Sequence, residues 1–301
     1  MGDSMKRSIV WLAALLLAAG TARAESSPAV WRVTDGAGHC LYLLGTVHMG
    51  REDMFPLDPA VEAAWRDSEV LAVEADAEAL QTNPLLAVRY ALTLRYGGGD
   101  TAKNHLSPET YALGVEKLGQ PEAALNRLRP MAWVSLAEAA SGQRLGVSSD
   151  WGADAWLLKR ARQENRPVEE IEGIKEQLAV IQRVPDAVCD RQIYDSLSDP
   201  EGTDQALFRM LDAWMRGDAE ALAAWIEEEQ NDDSQALAET FRAYYALVYG
   251  ERDRLFTQKA LAYLASGKTV FMAVGAAHVL GHGALLERLR QAGCTVETMG
   301  R

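Results

Sequence analysis

Short apolar runs alternate along this chain with long stretches in which apolar residues recur every three or four positions. The runs predict strands and the longer stretches amphipathic helices. Residues 29–34 and 41–44 read as two strands around Asp35-Gly36-Ala37-Gly38, a hairpin turn. Residues 69–75, 168–171, 269–274 and 294–299 read as four more. A helix over 59–67 opens at Pro59 with Asp58 as its N-cap. Together with the strands on either side it makes a strand–helix–strand unit, which implies a parallel pairing. Helices follow over 82–96, 108–118, 121–127, 130–144 and 150–164, interrupted by the glycine-rich break Tyr96–Asp100. Residues 174–265 are helical again, closing with an amphipathic helix over 250–264, and a last helix over 283–292 stops at Gly293. The fold class expected is α/β (α+β-like), a central mixed sheet in one domain over 25–301 with helical insertions at about 80–165 and 174–265.

Two of the strands share an ending. Leu41-Tyr42-Leu43-Leu44 runs into Gly45-Thr46-Val47-His48, and Val270–Val274 runs into Gly275-Ala276-Ala277-His278. Glycine lets the backbone turn sharply or approach another group closely as it leaves the sheet. Each histidine then stands at a strand's carboxyl end, where open α/β sheets bind ligands. The chain has only five histidines. Two in matched settings would aim two imidazoles into one crevice, a metal or acid/base site. Either alone would read more naturally as a satisfied core group.

Glu74 ends the strand after the first motif, where a carboxylate is costly to bury without a metal or an arginine beside it. Glu172 ends the strand at 168–171 in the same way. Arg252 and Arg254 precede the second motif on a helix expected to pack close to it. Either could clamp a carboxylate or an anionic group, although a solvated helix face explains them as well. Thr46 could hydrogen-bond a ligand or cap the turn. His282 lies between glycines in an expected loop, and His39 and His105 sit in turn-like contexts without an evident partner. No Gly-x-Ser-x-Gly elbow, Walker loop, Gly-x-Gly-x-x-Gly or His-Glu-x-x-His occurs, so serine hydrolase, NTPase, dinucleotide and thermolysin-like chemistries lack support.

Composition narrows the setting. Lys6 and Arg7, the apolar stretch 9–19 and Ala22-Arg23-Ala24 form a cleavable signal peptide over 1–24, which implies a periplasmic or secreted protein. No later run is long enough to span a bilayer, so no stable membrane anchor is expected. The formal net charge is −13, and losing Lys6, Arg7, Arg23 and Asp3 with the signal leaves about −15. Such acidity disfavours nucleic acid and anionic lipid as partners. Cys40 and Cys294 open two strands. If those strands are neighbours, an oxidising compartment could bridge them, with two free thiols the alternative and Cys189 left over.

These motifs, with Trp31-Arg32-Val33, Phe55-Pro56-Leu57, Leu71–Glu74, Ile171-Glu172, Glu176-Gln177-Leu178 and Arg252, resemble the TraB/GumN family. That family is similar to the Tiki proteases that inactivate Wnt. The resemblance runs through nearly all of the expected mature chain, and the paired Gly-x-x-His with a Glu between them is specific. It implies a metal-dependent hydrolytic site carried by His48, His278 and Glu74 and less directly by Arg252, with Gly45, Thr46, Gly275 and Glu172 in support. The family pattern usually reads Arg-Asn where this chain has Arg252-Asp253. The expectation is an exported hydrolase of a peptide or related amide bond. In it His48, His278 and Glu74 hold a divalent ion (manganese, cobalt, zinc or iron) that activates water, with Glu74 a third ligand or the base. The substrate would be a peptide or small molecule. The alternatives are a non-catalytic protein that sequesters a peptide or saccharide and a metal-free esterase using the two histidines as acid and base.

Overall fold

A computed structural model describes residues 27–231, 237–281 and 283–300. Residues 1–24, expected to be a signal peptide, and His282 lie outside the described residues. Six strands form one mixed sheet: β1 (Val30–Thr34), β2 (Cys40–Thr46), β3 (Val70–Val73), β4 (Val168–Glu170), β5 (Val270–Gly275) and β6 (Thr295–Thr298), in the order β4-β3-β5-β2-β1-β6. The chain thus has the expected α/β architecture, with helices inserted between the strands.

Burial explains the strand order. All six residues of β5 and all four of β3 are buried, as are six of the seven in β2. Strands buried on both faces are near-continuous apolar runs and belong at the centre of a parallel sheet. The least buried strands, β4 and β6, take the edges and are short, which limits unwanted edge pairing. The first hairpin forms as expected: Asp35 Oδ1 accepts from the Ala37 and His39 amides, and Gly38 takes φ +88°. Helix Pro59–Asp67 starts where expected, its Asp58 cap accepting from the Ala60 and Val61 amides.

Two expectations need correction. The strand–helix–strand unit does not give neighbouring strands. β2 and β3 both run parallel to β5, which is inserted between them from the far end of the chain. The more apolar β5 takes the doubly buried place. Nor do Cys40 and Cys294 pair. Thr34 of β1 faces Cys40 on one side and Thr295 on the other. The two cysteines are therefore about two strand spacings apart, roughly 10 Å, too far for a bridge. All three cysteines are free thiols.

The main core sandwiches the sheet. A second, smaller core of Leu106, Tyr111, Leu125, Trp133, Ile193 and Leu197 forms within the helical insertions. Trp214, on helix Pro200–Met215, is buried and donates its indole N–H to the Gly45 carbonyl at 2.7 Å, pinning the first motif from behind.

Candidate active site

Pairing of β2 with β5 brings the two motifs together. Gly45 lies opposite Val274, and Thr46 opposite Gly275. A side chain at Gly45 would come within 3.0 Å of the Ala276 backbone, so glycine permits the close approach of the two turns. Beyond the turns both histidines reach one crevice. A Cβ built on Gly275 would lie 3.2 Å from Glu74 Oε1, 3.6 Å from His48 Nε2 and 3.6 Å from His278 Cδ2. The three side chains singled out from sequence thus converge over Gly275, and His48 and Glu74 line a cleft of about 400 Å³ together with Thr46, Asp154, Gln177 and Arg252.

Arg252 is the hub. Its Nε donates to Glu172 Oε1 (2.8 Å). Nη1 donates to His278 Nε2 (2.9 Å) and the Val248 carbonyl (3.3 Å), and Nη2 to Glu74 Oε2 (2.6 Å) and Glu172 Oε2 (3.0 Å). Every guanidinium hydrogen has an acceptor. The Val248 carbonyl comes from the π-helical turn Ala246–Gly250, which leads into helix Glu251–Ser266 carrying Arg252. Such turns recur at functional sites because they re-aim side chains and carbonyls. Arg254, two residues on, is exposed.

An arginine can only donate, so His278 Nε2 accepts and the ring's proton sits on Nδ1. Nδ1 then donates to the buried Asp253 at 2.6 Å. His278 is a neutral imidazole locked between two partners. Glu74 Oε1 accepts from the Gly275 amide (2.6 Å) and Oε2 also from Gln177 (3.2 Å). Burial alone would raise this carboxyl. The charges of His48 and Arg252 and the Gly275 amide reverse that and hold it well below the usual carboxylate range, with no charge needed from a neutral His278.

His48 differs from His278. Its side chain is 67% exposed and only Nδ1 is engaged, by Asp154 Oδ2 at 3.2 Å. The Asp154 hydrogen bond raises the imidazole to about 9, with the charges of Asp154, Glu74 and Glu138 adding to it. Nε2–H therefore faces the cleft with no hydrogen-bond acceptor among the described residues. Asp154 is fixed at the start of helix Ala153–Gln163, whose Ala153 amide donates to the Val47 carbonyl. Gly152 is also required. A Cβ there would lie 2.6 Å from the His48 carbonyl oxygen and 2.9 Å from Asp154 Oδ1.

Among the described residues, no group of three or more His, Cys, Asp or Glu is arranged to hold a metal ion. The chemistry of the donors gives the reason. Both nitrogens of His278 are committed, Arg252 occupies His278 Nε2 and Glu74 Oε2, and only Glu74 Oε1 and His48 Nε2 still face the cleft. As arranged, the set does not fit a divalent ion.

The sequence reading located His48, Glu74, His278, Arg252 and Glu172. It missed Asp154, Asp253 and Gln177 as parts of the site. Asp253 follows Arg252 directly, and Gln177 stands within the quoted Glu176-Gln177-Leu178. Asp154 had no local signal, because it reaches His48 from 106 positions away. His39 and His105, expected to lack partners, both have them. His39 Nδ1 meets Asp35 at 2.9 Å, and His105 bridges Asp100 (2.8 Å) and Asp186 (2.6 Å), away from the cleft.

The sequence pattern of the TraB/PrgY/gumN family matches residues 29–298. The Escherichia coli (strain K12) protein named "Uncharacterized protein YbaP" is 26% identical over 265 residues, covering 87% of this chain and 92% of its own length. The protein of the same name from Shigella flexneri is similar to the same extent. No solved structure matches the chain significantly. The matched span takes in both Gly-x-x-His turns, Glu74, Glu172 and Arg252, and the chain belongs to the TraB/PrgY/gumN family.

Proposed function

We propose that this chain is an exported hydrolase of a peptide or related amide bond, acting through an acid/base pair made of His48 and Glu74. One observation carries the reading. His48 Nε2 and Glu74 Oε1 face the same point above Gly275, at 3.6 and 3.2 Å. One group is a carboxylate kept ionised by Arg252 and the other an imidazole kept protonated by Asp154. Two titratable groups whose surroundings push their proton affinities apart make a natural base and acid. A carbonyl seated there would be polarised by the His48 N–H. Glu74 holds a water against it and accepts a proton as the C–O bond forms. His48 then protonates the leaving nitrogen as the C–N bond breaks. The Glu74 proton returns to His48, leaving a free acid and a free amine. Glu74 is a weak base while paired with Arg252, so orienting the water is its larger part. His278 and Asp253 position Arg252, which in turn positions Glu74.

No step here runs through a metal. The metal-dependent reading keeps one supporting observation, the carboxylates Asp154, Glu74 and Glu138 whose charges act on His48 while its Nε2 stays uncommitted, and it would require Arg252 to leave His278. The test is a peptide library incubated with the mature protein, with and without chelator, and read by mass spectrometry. Cleavage that survives chelation and falls at least about 10²-fold in both Glu74→Gln and His48→Ala supports the acid/base form. Cleavage abolished by chelator and restored by one divalent ion moves the proposal to the metal form. Binding without cleavage by any of these proteins leaves a sequestering protein and ends the hydrolase proposal.

A further inference from the structure

Helix Pro84–Thr93 buries none of its residues. Asn83 caps it by accepting from the Leu86 amide, and Pro84 opens it. Leu85, Val88 and Leu92 are 71%, 54% and 64% exposed, and only two other large apolar side chains among the described residues stand open in this way. Their spacing of three and four places them on one helix face, and Arg89, four positions after Leu85, shares it. A groove of about 390 Å³ separates this helix from helix Ile174–Ile181. Arg89 and Leu92 line one side of it and Lys175 and Leu178 the other, with no carboxylate among the described residues lining it. Neither cation's side chain has a hydrogen bond or ion pair among the described residues. Glu176, next to Lys175 in sequence, lies back against Gly173, where a Cβ would meet its Oε2 at 3.0 Å. Exposed cations continue beyond the helix. The Tyr96 amide donates to the Arg127 carbonyl and the Arg129 amide to the Leu94 carbonyl, which brings Arg127 and Arg129 beside Arg95.

We infer that helix Pro84–Thr93 and the groove beside it form a docking face for an anionic lipid bilayer. Leu85, Val88 and Leu92 enter the interface, as the apolar face of a helix lying in the membrane plane does. Arg89 and Lys175 meet the lipid phosphates at the same level, their aliphatic stems covering Leu92 and Leu178. Charge selects this occupant. The chain carries a formal net charge of −13, so an anionic surface repels most of it and admits only a face whose cations are unpaired. The acidity that disfavours such lipid for the chain as a whole thus orients it here. Leu85 and Val88 stand clear of the groove, which suits insertion into lipid better than the seating of a protein partner's side chain. Docking leaves the active cleft clear, because Gln177, Val180 and Ile181 line that cleft from another face of helix Ile174–Ile181. The inference is independent of the hydrolase reading.

The test is vesicle flotation of the mature protein, which lacks the apolar stretch 9–19 that would itself enter lipid. Vesicles of phosphatidylglycerol and phosphatidylcholine in roughly equal parts should carry wild type upward at about 0.1 M salt, at least about tenfold better than phosphatidylcholine alone. Salt at about 1 M should remove most of that difference. Arg89→Gln and Lys175→Gln should each lower binding about fivefold. Leu85→Gln, Val88→Gln and Leu92→Gln together should lower it at least about tenfold. None of these three side chains is buried and glutamine favours a helix, so the triple variant should keep the wild-type circular dichroism spectrum. Arg209→Gln with Lys268→Gln, two exposed cations placed elsewhere, should leave binding within about twofold. Failure of wild type to float, equal flotation on the two vesicle types, or an equal loss in the control variant overturns the docking face. So does full binding by a correctly folded triple variant. Light scattering adds one more overturning result: a wild-type dimer that ignores vesicles and falls apart in the triple variant would assign the face to a second copy of the chain.

Discussion

At the scale of single residues, the site depends on what Gly275 lacks as much as on what the histidines supply. Its φ of −50° is open to any residue, so its smallness and not its flexibility matters. A methyl group there would meet Glu74 Oε1 at 3.2 Å and His48 Nε2 at 3.6 Å, contacts that a small shift relieves. It would also occupy the space where the proposed reaction brings water and carbonyl together. Gly275→Ala should therefore keep its melting temperature within about 3 °C of wild type, while cleavage falls roughly 10²-fold, as misplacement of reacting groups by an ångström can cause. Calorimetry beside a peptide-cleavage assay decides this. A variant that melts normally and cleaves normally would show that the point above Gly275 is not where the chemistry occurs. The two histidines show how partners divide roles. Both end matched turns, yet His278 has both nitrogens bound and is fixed and neutral, whereas His48 keeps Nε2 free.

At the scale of elements, the segment Tyr96–His105 is tied to helix Asp186–Ser198 by one imidazole. His105 contacts Asp100 through Nε2 and Asp186 through Nδ1. Tyr96 stacks on the ring at 4.5 Å, and Arg129 lies over Tyr96. Only the imidazolium can donate at both nitrogens. The hydrogen bond to Asp100 raises His105, burial opposes it, and Asp186 adds to the rise. A raised folded-state value means that the stabilisation is fully present below the unfolded value of about 6.5 and is lost as pH rises through the folded one. Urea unfolding of wild type and His105→Gln from pH 6 to pH 9 should therefore show wild type ahead at pH 6 by about 1 kcal/mol at most, as for a largely exposed ion pair. That margin should shrink toward alkaline pH. A margin flat with pH would mean that the tie does not depend on a charged imidazole.

At the scale of the whole molecule, the sheet is closed by the chain's two ends. β5 arrives after the helical insertions to separate β2 from β3, and β6 pairs with β1 at the opposite edge. This order keeps Cys40 and Cys294 apart on either side of β1, and Cys189 is buried in the second core. Alkylation of the unreduced, denatured protein should label all three cysteines, read as mass added to the intact chain. A species lacking two labels would contradict the strand order.

Most of the strands, the helix after the first motif and the convergence candidates were legible from sequence, because each rests on local physics. A doubly buried strand is an apolar run, a capped helix starts at Asp58-Pro59, and a carboxylate or histidine ending such a strand is expensive without a purpose. What sequence could not decide was adjacency. Two parallel strands joined through a helix are compatible with a third strand between them, and only the competition for the most buried position placed β5 there. The same holds for the site. Asp154 and Arg252 act across 106 and 178 positions, on His48 and Glu74 respectively, and no local pattern encodes a partner that distant. Sequence determined which side chains could do chemistry. Tertiary packing decided which of them are charged, which are locked, and which one remains free to act.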